Sequence, residues 1–144
     1  MVTGATGLLG RAIARSYLAE GQKVHVVGRD TEKLRQLYRD RAAIFTWAQV
    51  ADEFPAEALE GVTTVFHLMG EPVGGRWTKA KKERIITSRV TSAQKLAGAI
   101  GGGSVRLISA SSFGIYPGRR GEIYDEETRI EPRGQAFIPS TLRA

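Results

Sequence analysis

Cysteine is absent from this chain of 144 residues. That excludes disulfides, Cys-ligated zinc, iron–sulfur clusters and a thiol nucleophile. Histidine is almost as scarce: His25 and His67 are the only two, too few for a His-rich metal site. No apolar run approaches the ~18–20 residues needed to cross a bilayer, and no basic-then-apolar signal segment opens the chain. A soluble, cytoplasmic protein with no membrane partner is expected. Asparagine is missing altogether, and no lysine follows Lys95.

The remaining composition is ordinary for a globular protein, and the length suits one domain, taken as residues 1–144. Twenty-one Lys and Arg stand against fifteen Asp and Glu, a formal charge of +6. The excess permits affinity for anions such as nucleotides and phosphates but names none of them. Its densest part is Arg76, Lys79, Lys81, Lys82, Arg84 and Arg89, offset only by Glu83. No aromatics alternate with these charges, as a single-strand stacking platform requires, so nucleic acid is not expected as a partner. A solvated helix face is the simpler reading. The sequence leaves oligomerisation open.

Short β-branched runs alternate with segments of helical period. Val24–Val27, Ile44–Trp47, Val62–Met69 and Val105–Ile108 read as strands, the third nearly continuous in apolar residues, as a strand covered on both faces should be. Leu9, Ile13, Tyr17 and Leu18 form one helical stripe, closed at Gly21. Ile86, Val90, Ala93, Ala97 and Ile100 form another on a helix from about Thr78 to Ile100. Leu34, Leu37 and Tyr38 mark a shorter helix, and Val50, Phe54 and Leu59 a weaker one interrupted by Pro55. The alternation predicts an α/β fold: a Rossmann-type, doubly wound parallel sheet. From Phe113 onward the chain is loop-like. Only Met1-Val2-Thr3 precedes the first glycine, and Ala136–Ala144 reads as a helix barely begun, so a fold truncated at both ends, and marginally stable, is expected.

The opening carries the sharpest signal. Thr3-Gly4-Ala5-Thr6-Gly7-Leu8-Leu9-Gly10 spaces its glycines by three and three between a strand and an amphipathic helix, the context that gives such a pattern meaning. Gly4 allows a tight turn, Gly7 lets backbone approach a pyrophosphate, and Gly10 lets helix and sheet pack closely. The helix N-terminus then presents free N–H groups to phosphates. A tight turn without ligand is the alternative. No Lys-Ser/Thr follows the glycines, so a nucleoside-triphosphate P-loop is disfavoured.

This turn resembles that of the extended short-chain dehydrogenase/reductase superfamily. Three more segments, His67-Leu68-Met69-Gly70-Glu71-Pro72, Arg76-Trp77-Thr78 and Ser88-Arg89-Val90, join Ile108-Ser109-Ala110-Ser111 in resembling its nucleoside-diphosphate-sugar epimerase-like members, some labelled cell-division inhibitors. The similarity covers all 144 residues but only the N-terminal half of such proteins. It implies a nicotinamide dinucleotide lying along Gly4, Thr6, Gly7, Leu8, Leu9 and Gly10, with Leu68, Met69 and Gly70 near the adenosine-side ribose and pyrophosphate. Ser109 lies at the C-terminal edge of the last strand, where open α/β sheets bind ligands.

Arg29 directly follows the second strand, where an arginine accommodates a 2′-phosphate and an acid bonds a ribose hydroxyl. NADP(H) is therefore favoured over NAD(H), with Asp30 read as a helix cap. Arg89 either contacts phosphate or braces a loop. Trp77, His25 and His67 are read as packing residues, and Glu71 as a loop carboxylate.

The superfamily's Ser/Thr, Tyr and Lys chemistry places the catalytic serine best at Ser111, with Ser112 able to exchange roles. A Tyr-x-x-x-Lys is expected later and does not occur: neither Tyr116 nor Tyr124 has a lysine four residues on. Around the expected place stands Gln135-Ala136-Phe137-Ile138-Pro139-Ser140. No Gly-x-Ser-x-Gly elbow is present either. The resemblance implies an epimerase or oxidoreductase acting on an unidentified polar small molecule. The alternatives are a non-catalytic dinucleotide-binding sensor or interaction protein, and an inactive gene fragment.

Overall fold

The computed structural model describes residues 1–112, 114, 116 and 120–129. The chain divides into two compact units, Met1–Ala110 and Ser111–Ala144. Gln135–Ser140, and much of the expected loop region from Phe113 onward, lie outside the described residues.

In the first unit the elements run β1 (Val2–Thr3), α1 (Leu8–Ala19), β2 (His25–Gly28), α2 (Thr31–Tyr38), β3 (Ala43–Thr46), a 3₁₀ turn (Ala56–Leu59), β4 (Thr64–His67), α3 (Lys79–Ile86), a π-turn (Thr87–Thr91), α4 (Ser92–Ile100) and β5 (Arg106–Ser109). All strand pairings are parallel, in the order β3-β2-β1-β4-β5. The chain order therefore reverses at β1 and β4, and the crevice beyond their carboxyl ends is where such sheets bind ligands.

Strand alternation sends neighbouring residues to opposite faces. Val26 and Phe66 pack with Val2, Ala14, Leu34 and Tyr38 on the α1–α2 side. Val27 and Val65 pack with Trp47, Phe54, Ala58 and Leu96 on the other. Both faces are covered, as the doubly wound reading requires.

Two helical stripes differ from expectation. On α1 the buried residues are Gly10 and Ala14, whereas Leu9 is 63% exposed and Tyr17 40%. The helix lies so close to the turn before it that a methyl at Gly10 would press on the Gly4 oxygen and stand 2.9 Å from the Ala5 Cα. Gly10 and Ala14 therefore make its closest approach, flanked by Ile13 and Leu18 packed on the same core and Tyr17 against the Phe66 ring, while Leu9 of the expected stripe faces solvent. The expected single helix from Thr78 to Ile100 is split by the π-turn; its buried residues are Ile85, Ser92 and Leu96, while of the predicted stripe Ile100 packs on the core and Ile86 is 38% exposed. The weak helix around Val50–Leu59 reduces to the 3₁₀ turn that follows Pro55.

In the second unit Tyr116 and Tyr124 stack with ring centroids 5.4 Å apart. Asp125 and Thr128 form a local turn in which the Thr128 hydroxyl donates to Asp125 Oδ1 at 2.7 Å.

Candidate functional site

The turn between β1 and α1 sits over the crevice. Gly4 has φ of +67°, and a methyl there would lie 2.8 Å from the Leu68 carbonyl and the Met69 nitrogen. The backbone after β4 thus closes on the glycine directly, leaving no room for a side chain. The Gly7 amide donates to Gly4 O at 2.9 Å, and Gly7 precedes α1 with no side-chain cap among the described residues. The first amides of α1 point outward with no side chain claiming them, the arrangement that favours an anion. Beneath the turn, the buried Tyr38 hydroxyl donates to Ala5 O at 2.6 Å, fixing it from the α2 side.

A cavity of about 580 Å³ opens here. Gly4, Thr6, Gly7, Arg29, Leu68, Met69 and Gly70, all expected at the site, line it. The other expected cofactor residues of the unit are not among those that line it. Leu8 and Leu9 project into solvent, and Gly10 packs against the turn. Ser109 ends β5, paired in register with His67. Arg89 braces a loop: its Nη1 donates to Glu71 O at 2.9 Å, and a methyl on Gly70 would lie 3.1 Å from the guanidinium carbon. Of the two roles open to Arg89 in the sequence, bracing is the one the geometry displays.

Two walls of the cavity went unread. One is the segment Trp47–Val50 after β3; the other is Ala80, Glu83, Arg84, Thr87 and Ser88 of α3 and the π-turn, with Glu71 facing them. A signal for the first existed, since every parallel strand of such a sheet ends toward the crevice. Glu71 Oε1 pairs with Lys81 Nζ at 3.0 Å and with Arg84 Nε at 3.4 Å. The Lys81 hydrogen bond holds the Glu71 carboxyl below the ordinary carboxylate range, against the opposing effect of partial burial.

At the carboxyl end of β2, Arg29 is exposed on the cavity rim. Asp30 accepts from the Lys33 amide at 2.9 Å and caps α2, as its position before Thr31 predicts. His25 bonds Ala58 O at 2.8 Å and packs on Phe45. His67, 3% exposed, lies between Thr3 and Ser92, and burial pushes it down to about 4. Trp77 is 39% exposed and donates from Nε1 to Val73 O at 2.7 Å, tying the β4–α3 loop.

Ser111 and Ser112 belong to the second unit. There the Tyr116 hydroxyl donates to Asp125 O and that of Tyr124 to Glu122 Oε2. Among the described residues no cluster of His, Asp or Glu is built to hold a metal ion, and no helix is long and apolar enough to cross a membrane.

A model of the NAD dependent epimerase/dehydratase family matches residues 1–135. The chain belongs to this family. Among family relatives, it is 28% identical over 148 residues to the chloroplastic SDR39U1 homolog of Arabidopsis thaliana, an epimerase family protein, covering 99% of this chain and 41% of that one. It is 29% identical over 140 residues to the Mycobacterium tuberculosis epimerase family protein MT2273, covering 95% of this chain and 43% of the other. The chain thus spans less than half the length of these relatives. MoeE5, solved with UDP-glucuronic acid and NAD, superposes with a TM-score of 0.73 at 25% identity over 99% of this chain and 45% of its own. A short-chain dehydrogenase/reductase superfamily protein from Agrobacterium tumefaciens, solved with bound NAD, superposes at 0.70 with 22% identity over 99% and 41%. The latter likeness is one of fold.

Proposed function

We propose that the crevice beyond β1 and β4 binds a nicotinamide dinucleotide, NADP(H) in preference to NAD(H), within an epimerase or oxidoreductase acting on a polar small molecule. Support comes first from Gly4. A positive φ and a carbonyl wall against its missing side chain make a bend through which a pyrophosphate can approach peptide amides, and they do so at the head of an uncapped helix. The residues present fit the group: a side chain at Gly4 would fill the cradle, and Thr6, Gly7, Leu68, Met69 and Gly70 surround the same space. Arg29, exposed on the rim while Asp30 is occupied as a cap, supplies the fork that a 2′-phosphate requires. Family relatives and MoeE5 with its bound NAD support a dinucleotide; the choice of NADP(H) rests on Arg29 and Asp30 alone.

When bound, the nicotinamide supplies or accepts hydride. The role proposed for Ser111, two residues past β5, is to hydrogen-bond the substrate oxygen. Within the family we propose, from its His67–Pro72, Arg76–Thr78, Ser88–Val90 and Ile108–Ser111 motifs, that the chain belongs to the subset sometimes labelled cell-division inhibitors.

Calorimetric titration with NADPH and NADH tests the reading. Saturable binding is expected, with NADPH the tighter ligand. Arg29→Ala should weaken NADPH by about tenfold or more, the worth of a charge-assisted hydrogen bond, and leave NADH nearly unchanged. Equal losses would remove the 2′-phosphate assignment. No heat with either nucleotide at millimolar concentration would remove the whole proposal.

A further inference from the structure

One buried polar chain of Thr3, His67 and Ser92 links the sheet to the helix and ends on two residues that line the cavity, Leu68 and Ser88. Ser92 Oγ lies 2.7 Å from Ser88 O, 3.3 Å from Arg89 O and 3.0 Å from His67 Nε2. A hydroxyl has one proton, and the two carbonyls can only accept. The proton therefore points at Ser88 O, so Ser92 Oγ must accept from His67, which places the imidazole proton on Nε2. Nδ1 is then an acceptor, and Thr3 Oγ1, 2.9 Å away, must donate to it. Thr3 Oγ1 in turn accepts the Leu68 amide at 3.3 Å. Every proton in the series has one direction: Leu68 N–H to Thr3, Thr3 to His67, His67 to Ser92, Ser92 to Ser88 O.

The π-turn explains why a serine stands at position 92. In an α-helix the Ser92 amide would bond Ser88 O; here it reaches to Thr87 O and Arg89 O instead. Ser88 O has lost that amide, and the Ser92 hydroxyl replaces it. A side-chain donor inserted in this way interrupts the regular ladder and bends the helix, and π-turns recur at functional sites. Its consequence lies at the next residues out. Ser88 Oγ accepts the Glu71 amide at 2.8 Å while Arg89 donates to Glu71 O, so both polar groups of Glu71's backbone are held by consecutive residues of the π-turn. On a regular helix, neighbours in sequence face apart.

We propose that Thr3, His67 and Ser92 are positioning residues, whose one-way hydrogen-bond chain maintains the π-turn and, through its Ser88–Arg89 clamp, sets the Leu68–Glu71 wall of the cavity. The chain grips that wall at both ends, at the Leu68 amide through Thr3 and at the Glu71 amide through Ser88. Only its bearing on ligand affinity rests on the dinucleotide reading.

Three measurements on the full chain test this. In ¹⁵N-labelled wild type, long-range proton–nitrogen correlation at His67 should show the Nε2–H tautomer near pH 7; the Nδ1–H tautomer would overturn the chain. Ser92→Ala should cut hydrogen-exchange protection at the Glu71 amide by roughly tenfold or more relative to the Val65 amide in β4. His67→Gln, whose amide offers an acceptor and a donor in place of the two ring nitrogens, should keep that protection. An unchanged Glu71 amide in Ser92→Ala refutes the clamp. Should Ser92→Ala not fold, the wild-type tautomer and the Gln variant still decide. NADPH affinity should fall by about tenfold in Ser92→Ala and be retained in His67→Gln. If wild type binds neither NADPH nor NADH while the Glu71 amide responds as stated, the dinucleotide reading falls and the positioning chain stands.

Discussion

Replacing Gly4 by alanine tests the steric argument at its narrowest point. Two independent costs arise. The backbone at φ +67° is the left-handed region, which costs an L-residue about 1–2 kcal/mol. The new methyl would also stand 2.8 Å from three backbone atoms of Leu68 and Met69. Backbone held in a sheet and its flanking loop does not swing aside as a side-chain tip can, so an overpacking cost of about 1–3 kcal/mol is added. The sum, about 2–5 kcal/mol, is a large share of the 5–15 kcal/mol that typically stabilises a domain. Gly21 provides the control: its φ is +74°, and a methyl there meets nothing within 4 Å. Gly21→Ala should therefore show the strain cost alone, about 1–2 kcal/mol. Urea denaturation followed by circular dichroism reads both, and the difference between the variants isolates the clash. If Gly4→Ala is no less stable than Gly21→Ala, the backbone of Leu68 does not close on this turn, and the reason for a glycine here is lost.

Other outcomes follow from single contacts. Tyr38→Phe removes the hydroxyl that donates to Ala5 O and should cost about 1 kcal/mol in the same denaturation assay; an unchanged midpoint would mean the bond holds nothing. His67 is depressed to about 4 in the folded chain from an ordinary 6.5, so between these values the unfolded state binds the extra proton. Stability from this group is full above about pH 6.5 and falls by about 3 kcal/mol as pH drops toward 4; His67→Gln should lack that slope, and parallel pH profiles would refute it. Asp30→Ser keeps a capping oxygen while deleting the charge, so helix stability and affinity for both nucleotides should hold within about twofold. A selective loss of NADH in a titration would instead make Asp30 a ribose ligand.

The legible parts of this molecule are those whose cause is local. A glycine that must turn left-handed at Gly4 is needed whatever surrounds it, and β-branched runs declare buried strands. On α1, Leu9 satisfies the same periodicity as Ile13, Tyr17 and Leu18 yet stays exposed, because the close approach at Gly10 and Ala14 is set by the turn across from them. The π-turn was unreadable for a related reason. Apolar periodicity cannot nominate Ser92 as a core residue, because its burial is justified by polar partners, Ser88 O within the turn and His67, twenty-five positions away in sequence. The α3 wall, with Glu71 set between Lys81 and Arg84, appeared as one more basic stretch because charge spacing along a helix does not say which carboxylate lies opposite.

The choice between the two nucleotides turns on adjacent residues with incompatible duties. An acid bonding a ribose diol must turn its carboxylate toward the crevice, whereas an acid capping a helix must turn it back to the first-turn amides. Asp30 does the second, at 2.9 Å from the Lys33 amide. Releasing it would leave that donor to water and cost α2 about 1 kcal/mol, a sizeable penalty for a helix of eight residues, too short to be stable in isolation. Among the described residues Arg29 has no such duty to abandon. It stands on the cavity rim in solvent, where a guanidinium holds less of a lone ribose hydroxyl than of a dianionic phosphate whose geometry matches its fork. In the proposed reading the cap would bear on cofactor choice without touching the cofactor, by occupying the residue that could otherwise recognise the unphosphorylated ribose.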